Sequence, residues 1–191
     1  GAVTWGNGTS GTVGVVSVSN SLVGSQSYDE VGYRVTALTN GNYVVSSPFW
    51  DGAALNLGAV TWGNGATGIV GVVSALNSLV GSMASDFVGY GGVTALSNGN
   101  YVVSSSYWSG TEAWTGAVTW GNGTTGTAGT VSASNSLVGS TAHDNVGDWG
   151  VAALTNGNYV VRSPFWDGTA TDVGAVTWGN GTTGIVGVVS A

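Results

Sequence analysis

Short valine-rich apolar runs alternate along the whole chain with stretches of Gly, Asn, Ser and Thr, and their spacing never settles into a helical period. Taken over one unit, the pattern predicts four strands and no helix. The first strand is Val31–Leu38, ended by Thr39-Asn40-Gly41-Asn42, where Asn-Gly supplies the positive φ angles of a tight hairpin. The second is Tyr43–Ser47, stopped by Pro48, which has no N–H to give to a ladder. The third is Ala59–Trp62, followed by the turn Gly63-Asn64-Gly65, and the fourth covers Gly68–Gly81 with a break near Leu76-Asn77. Alternation within the strands is imperfect, because Val44 opposes Tyr43 and Val45, and Val72-Val73 repeats the pattern. Apolar side chains on both faces suit sheets covered on both sides by neighbouring sheets, as in a β-propeller or, alternatively, a β-solenoid.

The pattern is periodic on a larger scale. Gly-Ala-Val-Thr-Trp-Gly-Asn-Gly recurs with its tryptophan at Trp5, Trp62, Trp120 and Trp178, at spacings of 57, 58 and 58. Asn-Gly-Asn-Tyr-Val-Val begins at Asn40, Asn98 and Asn156, and Asn-Ser-Leu-Val-Gly-Ser at Asn20, Asn77 and Asn135. The one-residue shortfall lies between Gly32 and Val35, where Tyr33-Arg34 replaces Tyr90-Gly91-Gly92, and a loop tip tolerates such a gap. The chain therefore divides into half a repeat over 1–28 and units at 29–85, 86–143 and 144–191, the last incomplete. Propellers close with roughly four to eight blades, so this number of units is expected to self-associate or to belong to a longer array. The sequence has no initiating Met and no charged-then-apolar leader at its start.

Composition narrows the function classes. Charged residues make up 6% of the chain against 42% apolar, a balance that disfavours disorder. The net charge is −7, and Arg34 and Arg162 are the only basic side chains apart from one histidine. Counterion release from phosphates needs clustered basic residues, so nucleic acid and anionic membrane surfaces are poor partners. No cysteine is present, which removes disulfides, thiolate metal sites and thiol catalysis.

The order Leu79-Val80-Gly81-Ser82, Val88-Gly89, Asn98-Gly99-Asn100-Tyr101-Val102-Val103 and Gly116-Ala117-Val118 resembles the FG-GAP blade of integrin-α-type propellers. Val31-Gly32, Val88-Gly89 and Val146-Gly147 stand at that family's Phe-Gly position, and Ser46-Ser47-Pro48, Ser104-Ser105-Ser106 and Arg162-Ser163-Pro164 at its Gly-Ala-Pro position. The units are also similar to repeats of unknown function in very large secreted bacterial proteins of the filamentous haemagglutinin type, which implies an extracellular or cell-surface location. Many FG-GAP blades carry an Asp-rich calcium loop between the first two strands. Here that turn has no carboxylate in any copy, so no metal is expected there.

No catalytic constellation recurs. His143 is the only histidine; with Ser27 and Ala84 taken as its counterparts, it is read as an exposed loop residue. Asp29, Asp86 and Asp144 recur and are read as turn residues bonding their own backbone rather than as a ring of carboxylates. Asp51 and Asp167 give way to Ser109 in the middle unit, which a carboxylate-dependent site would not allow. Asn-Gly-Thr at Asn7, Asn122 and Asn180 matches a glycosylation acceptor but is read as a turn, since Asn64 breaks the pattern. Trp5, Trp62, Trp120 and Trp178 are assigned to packing between units. The loop pairs Phe49-Trp50, Tyr107-Trp108 and Phe165-Trp166 either cap the sheet edge or present aromatic faces to a ligand, and Trp114 and Trp149 look incidental. The expectation is a non-enzymatic structural or adhesive segment without cofactors; a lectin-like or protein-binding propeller using the loop aromatics is the alternative, and a hydrolase the remote third.

Overall fold

A computed structural model describes residues 1–190, which form short strands joined by turns, with no helix among them. The first unit supplies β1 (Ala2–Val3) and β2 (Leu22–Val23). The second supplies β3 (Arg34–Ala37), β4 (Tyr43–Ser47), β5 (Ala59–Gly63), β6 (Gly71–Val72) and β7 (Ser78–Val80). The third repeats them as β8 (Gly92–Ala95), β9 (Tyr101–Ser105), β10 (Ala117–Gly121), β11 (Gly129–Thr130) and β12 (Ser136–Val138). The fourth has β13 (Val151–Ala153), β14 (Tyr159–Ser163), β15 (Ala175–Gly179) and β16 (Gly187–Val188).

Each full sheet is an antiparallel meander completed from the next unit. The second unit's sheet runs β3-β4-β5-β7 and then β11, which pairs in parallel with β7; β16 does the same to β12, and β6 to β2. The segment expected to be one strand over Gly68–Gly81 is therefore two strands in two different sheets. A turn causes the split: Asn77 Oδ1 accepts the Ser74 N–H while Asn77 Nδ2 donates to the Val72 carbonyl. The break at Leu76-Asn77 was legible in the sequence; the change of sheet was not.

The other boundaries move for local reasons. The first strand starts at Arg34 rather than Val31, because Gly32 turns with φ 93° and its N–H goes to Ser47 Oγ. Val31 is buried without being in the ladder. At the hairpin only Gly41 takes a positive φ, with Gly41 N–H bonded to the Leu38 carbonyl and Leu38 N–H to the Asn42 carbonyl. This is a type I turn with a left-handed glycine rather than a two-residue mirror-image turn. Strand β4 does stop before Pro48, yet β9 stops at the equivalent Ser105 with Ser106 in the proline's place. The Trp108 N–H bond back to the Ser105 carbonyl, repeated from Trp50 to Ser47, is what ends the strand.

Successive sheets stack face to face around three apolar cores, which accounts for the two-faced strands. Val45 packs with Leu22, Ala59 and Val80 against the first unit, while Val44 packs with Leu38, Val60 and Leu79 against the third. Val102 and Val103 divide in the same way. Tyr101 fills the junction so fully that a β-carbon at Gly121, across the ladder, would collide with its ring. The first strands of successive units lie side by side, β3 next to β8 and β8 next to β13, and the sheets do not close on themselves.

Candidate functional site

Three sets of residues recur at each unit and are brought together by the stacking. The first is a junction. The Asn-Gly-Asn hairpin tip of one unit reaches the strand-to-strand turn of the next: Asn40 Nδ2, Asn42 Nδ2 and Trp62 Nε1 all donate to the Gly123 carbonyl, at 2.8, 2.8 and 2.9 Å. Asn98, Asn100 and Trp120 treat the Gly181 carbonyl identically. The same asparagines supply an acceptor to their own unit, where Gly65, Gly123 and Gly181 N–H bond Asn42, Asn100 and Asn158 Oδ1. Of the tryptophans expected to pack between units, Trp5, Trp62 and Trp120 thus also clasp them, whereas Trp178 is exposed and makes no such bond. The Asn-Gly-Asn turns carry amide donors spent on the neighbouring unit. Among the described residues no three His, Cys, Asp or Glu side chains converge on a point where a metal ion could sit.

The second is a buried carboxylate latch. Asp29, Asp86 and Asp144 have no exposed surface. Asp86 Oδ2 accepts the N–H groups of Ser82 and Met83, and Oδ1 that of Ser109, 23 residues away. Asp29 and Asp144 make the same three bonds. The reading of a turn residue bonding local backbone was half of the arrangement; the other half ties the loop after the second strand to the loop before the first. The residues flanking each aspartate are forced into left-handed backbone, Ser85 at φ 66° and Phe87 at 46° in the middle unit. That backbone conformation costs roughly 1–2 kcal/mol per non-glycine residue, so the latch holds strained chain. The same φ values align His143 (70°) with Tyr28 (68°) and Ser85, correcting the assignment of Ser27 and Ala84 as its counterparts. Asp51, Ser109 and Asp167 share one lesser task, accepting the N–H five residues on, at 2.6 and 2.7 Å for the carboxylates and 3.2 Å for the Ser109 hydroxyl. The sequon asparagines likewise fold turns: Asn122 Oδ1 accepts Thr124 and Thr125 N–H, and Asn64, outside any sequon, makes the same pair.

The third is aromatic. Trp50, Trp108 and Trp166 are 6, 6 and 8% exposed and belong to the inter-sheet cores, so their faces are packed rather than presented. Their indole N–H groups have no partner. Their neighbours behave differently. Phe49 and Tyr107 join Tyr33, Phe87, Tyr90, Trp114 and His143 in a continuous edge-to-face ridge across the units, with centroid spacings of 5.1 to 6.4 Å. Phe49, Phe87, Tyr90 and Tyr107 line an open cleft of about 270 Å³. Phe165 is exposed and stands outside the ridge. Sequence reading missed Tyr33, Phe87, Tyr90 and Trp114 because only Tyr33 and Tyr90 share a repeat position and the four meet only when units stack. Trp149 is exposed at the last unit, beside a hollow of about 430 Å³.

This geometry defines a class: an open array of stacked all-β repeats stitched through their turns. The chain matches the family described as Repeat of unknown function (DUF5650) in four copies, over residues 1–33, 37–90, 95–148 and 153–191. It belongs to that family. No curated protein matches the chain.

Proposed function

We propose that this chain is a non-enzymatic structural and adhesive segment of an extracellular or cell-surface bacterial protein, its units being propeller-type blades of FG-GAP-like order. The observation that carries the reading is the junction: the same three donors meet one carbonyl at both complete unit boundaries, an investment in continuity rather than in a cleft. The side-by-side first strands favour blades around an axis over a flat solenoid. Low charge and the absence of cysteine and lysine support the location.

In a rigid array, each unit's stability depends on its neighbours. Trp62→Phe deletes the indole N–H donated to Gly123 and trims the ring while keeping an aromatic side chain. It is expected to cost about 0.5–1.5 kcal/mol and to move one urea transition of the whole chain, followed by fluorescence and circular dichroism together. Units that melt separately, with only one of them shifted, would remove the array reading.

The exposed aromatic ridge favours a second reading, in which the array binds carbohydrate or protein. Aromatic faces stack on the apolar faces of sugar rings and anchor protein partners with few rotamers to lose. Binding to a glycan or matrix-protein panel is expected to fall for Tyr90→Ala, Tyr107→Ala and Trp114→Ala while the melting temperature holds. Binding that survives all three would discard the ridge.

A further inference from the structure

One cleft of the ridge, at the boundary between the second and third units, rests on a residue choice that the neighbouring units do not make. Phe49 of the second unit and Phe87, Tyr90 and Tyr107 of the third line its open space of about 270 Å³. Their rings meet at angles of 61 to 84° with centroids 5.4 to 6.4 Å apart, so they wall the space from different directions instead of forming one flat stack. At the next boundary the same positions hold Tyr107, Asn145, Asp148 and Phe165, and that set builds no aromatic wall. Position 87 carries the difference. The backbone there is left-handed in the second, third and fourth units, with φ 44° at Glu30, 46° at Phe87 and 44° at Asn145. Asparagine suits that conformation, and Asn145 Nδ2 also donates to the Ser106 carbonyl. Phenylalanine is the costlier residue at such a φ and brings no such bond, yet it stands where its ring closes the cleft. Backbone strain kept at one unit in this way is a mark of function.

We propose that this cleft binds a quaternary ammonium group, the trimethylammonium end of a small choline-like cation. Aromatic faces carry the negative part of the ring quadrupole, and a cation within about 6 Å of a centroid is attracted by it. A trimethylammonium group has an apolar surface and a diffuse charge and makes no hydrogen bond, so it requires no polar partner. The cleft offers none beyond the hydroxyls of Tyr90 and Tyr107: its lining has no carboxylate, amide or basic side chain. A sugar ring loses water from its hydroxyls on binding and needs a set of donors and acceptors that this surface lacks. The volume also falls below the roughly 300–1,000 Å³ of sites for drug-sized ligands, which suits a single head group. Charge agrees in sign, since the chain carries a net −7. The same charge repels an anionic carrier, which favours a free choline-type cation as the occupant. Arg34 already places its guanidinium 5.5 Å from the centroid of Tyr33, a ring of the same ridge that packs on Phe49 but does not line the cleft.

The inference rests on the exposed ridge of the second reading above and fails separately from it. Choline is titrated into the full chain and followed by NMR on its N-methyl protons. An upfield ring-current shift and saturation transfer from aromatic protons are expected, with a dissociation constant on the order of a millimolar or below. The neutral alcohol in which carbon replaces the ammonium nitrogen has the same shape and is expected to bind at least about tenfold more weakly. Tyr90→Phe is expected to keep the affinity, whereas Tyr90→Leu loses it. Phe87→Asn installs the residue that the fourth unit carries at this φ, so the melting temperature is expected to hold while affinity falls about tenfold. Absence of any choline shift at concentrations on the order of tens of millimolar, equal binding of the neutral alcohol, or full affinity in Phe87→Asn would each overturn the proposal. Phosphatidylcholine vesicles that sediment the chain when free choline has no effect would overturn it too, by making the occupant a membrane surface. Glycan or matrix-protein binding lost in Tyr90→Ala, with no choline effect, would overturn it while leaving the ridge as a surface for those ligands.

Discussion

Replacing Trp108 by alanine is expected to remove about 3–5 kcal/mol of folding stability, enough to unfold much of the chain if its total is ordinary. The ring is 6% exposed and packs in the core shared by the second and third units, near Val88, Ala117 and Val138. Its backbone is fixed at both ends, by N–H donation to Ser105 and by the Gly116 N–H bonded to its carbonyl. The loop cannot simply collapse into the space left behind. Gly110 lies flat beneath the indole, and the residual cavity adds to the lost transfer energy. Trp108→Phe separates size from polarity. The indole N–H has no partner within the protein, so phenylalanine loses no hydrogen bond to the protein and is expected to cost about 1–2 kcal/mol. Urea titration of the two variants checks both numbers. An alanine variant as stable as the parent would place the ring outside the core and restore it as a ligand contact.

Asp86→Ala is expected to cost about 2–4 kcal/mol, because three backbone N–H groups lose their acceptor at once and two strained neighbours lose the latch that holds them. Asn in its place keeps the shape but turns an amide N–H toward donors, so about 1–3 kcal/mol is expected. Burial raises the Asp86 carboxyl above the ordinary carboxylate value, and the bonds from Met83, Ser109 and Ser82 draw it partway back. The sign follows from linkage. A raised folded value means that the linked stability is fully present below the unfolded carboxylate value and is lost as pH rises through the folded one. The stability gap between parent and Asp86→Asn should therefore narrow over that acid window and stay flat above it. A gap that widens with rising pH would mean that the N–H bonds outweigh desolvation.

These two residues also mark how much the sequence disclosed. Both recur at the repeat period, and both were singled out by that recurrence alone. Recurrence does not say whether a loop residue points outward or inward. For Trp108 the sequence left two readings, a cap on the sheet edge or a face presented to a ligand, and the stacking of the next unit covers the ring. For Asp86 the nearby glycine suggested a local turn, while the partner 23 residues away came from a loop that only the folded unit brings near. The exposed ridge followed the opposite course. Phe87 and Trp114 have no aromatic counterpart in the other units, and the tyrosine shared by Tyr33 and Tyr90 gives way to Asp148, so a reading that rewards regularity passed over them.

By itself the sequence determined the unit: its length, its all-β content, the hairpin at each Asn-Gly-Asn, and the two-faced strands that require a neighbour on each side. These follow from local turn chemistry and side-chain alternation, which act over a few residues. Only the tertiary structure decided which sheet each short strand joins, which aromatic residues are covered, and which carbonyl the hairpin asparagines reach. Those outcomes depend on contacts about one repeat or more apart in the chain, as between Asn40 and Gly123, and exist only once one sheet has been laid on the next.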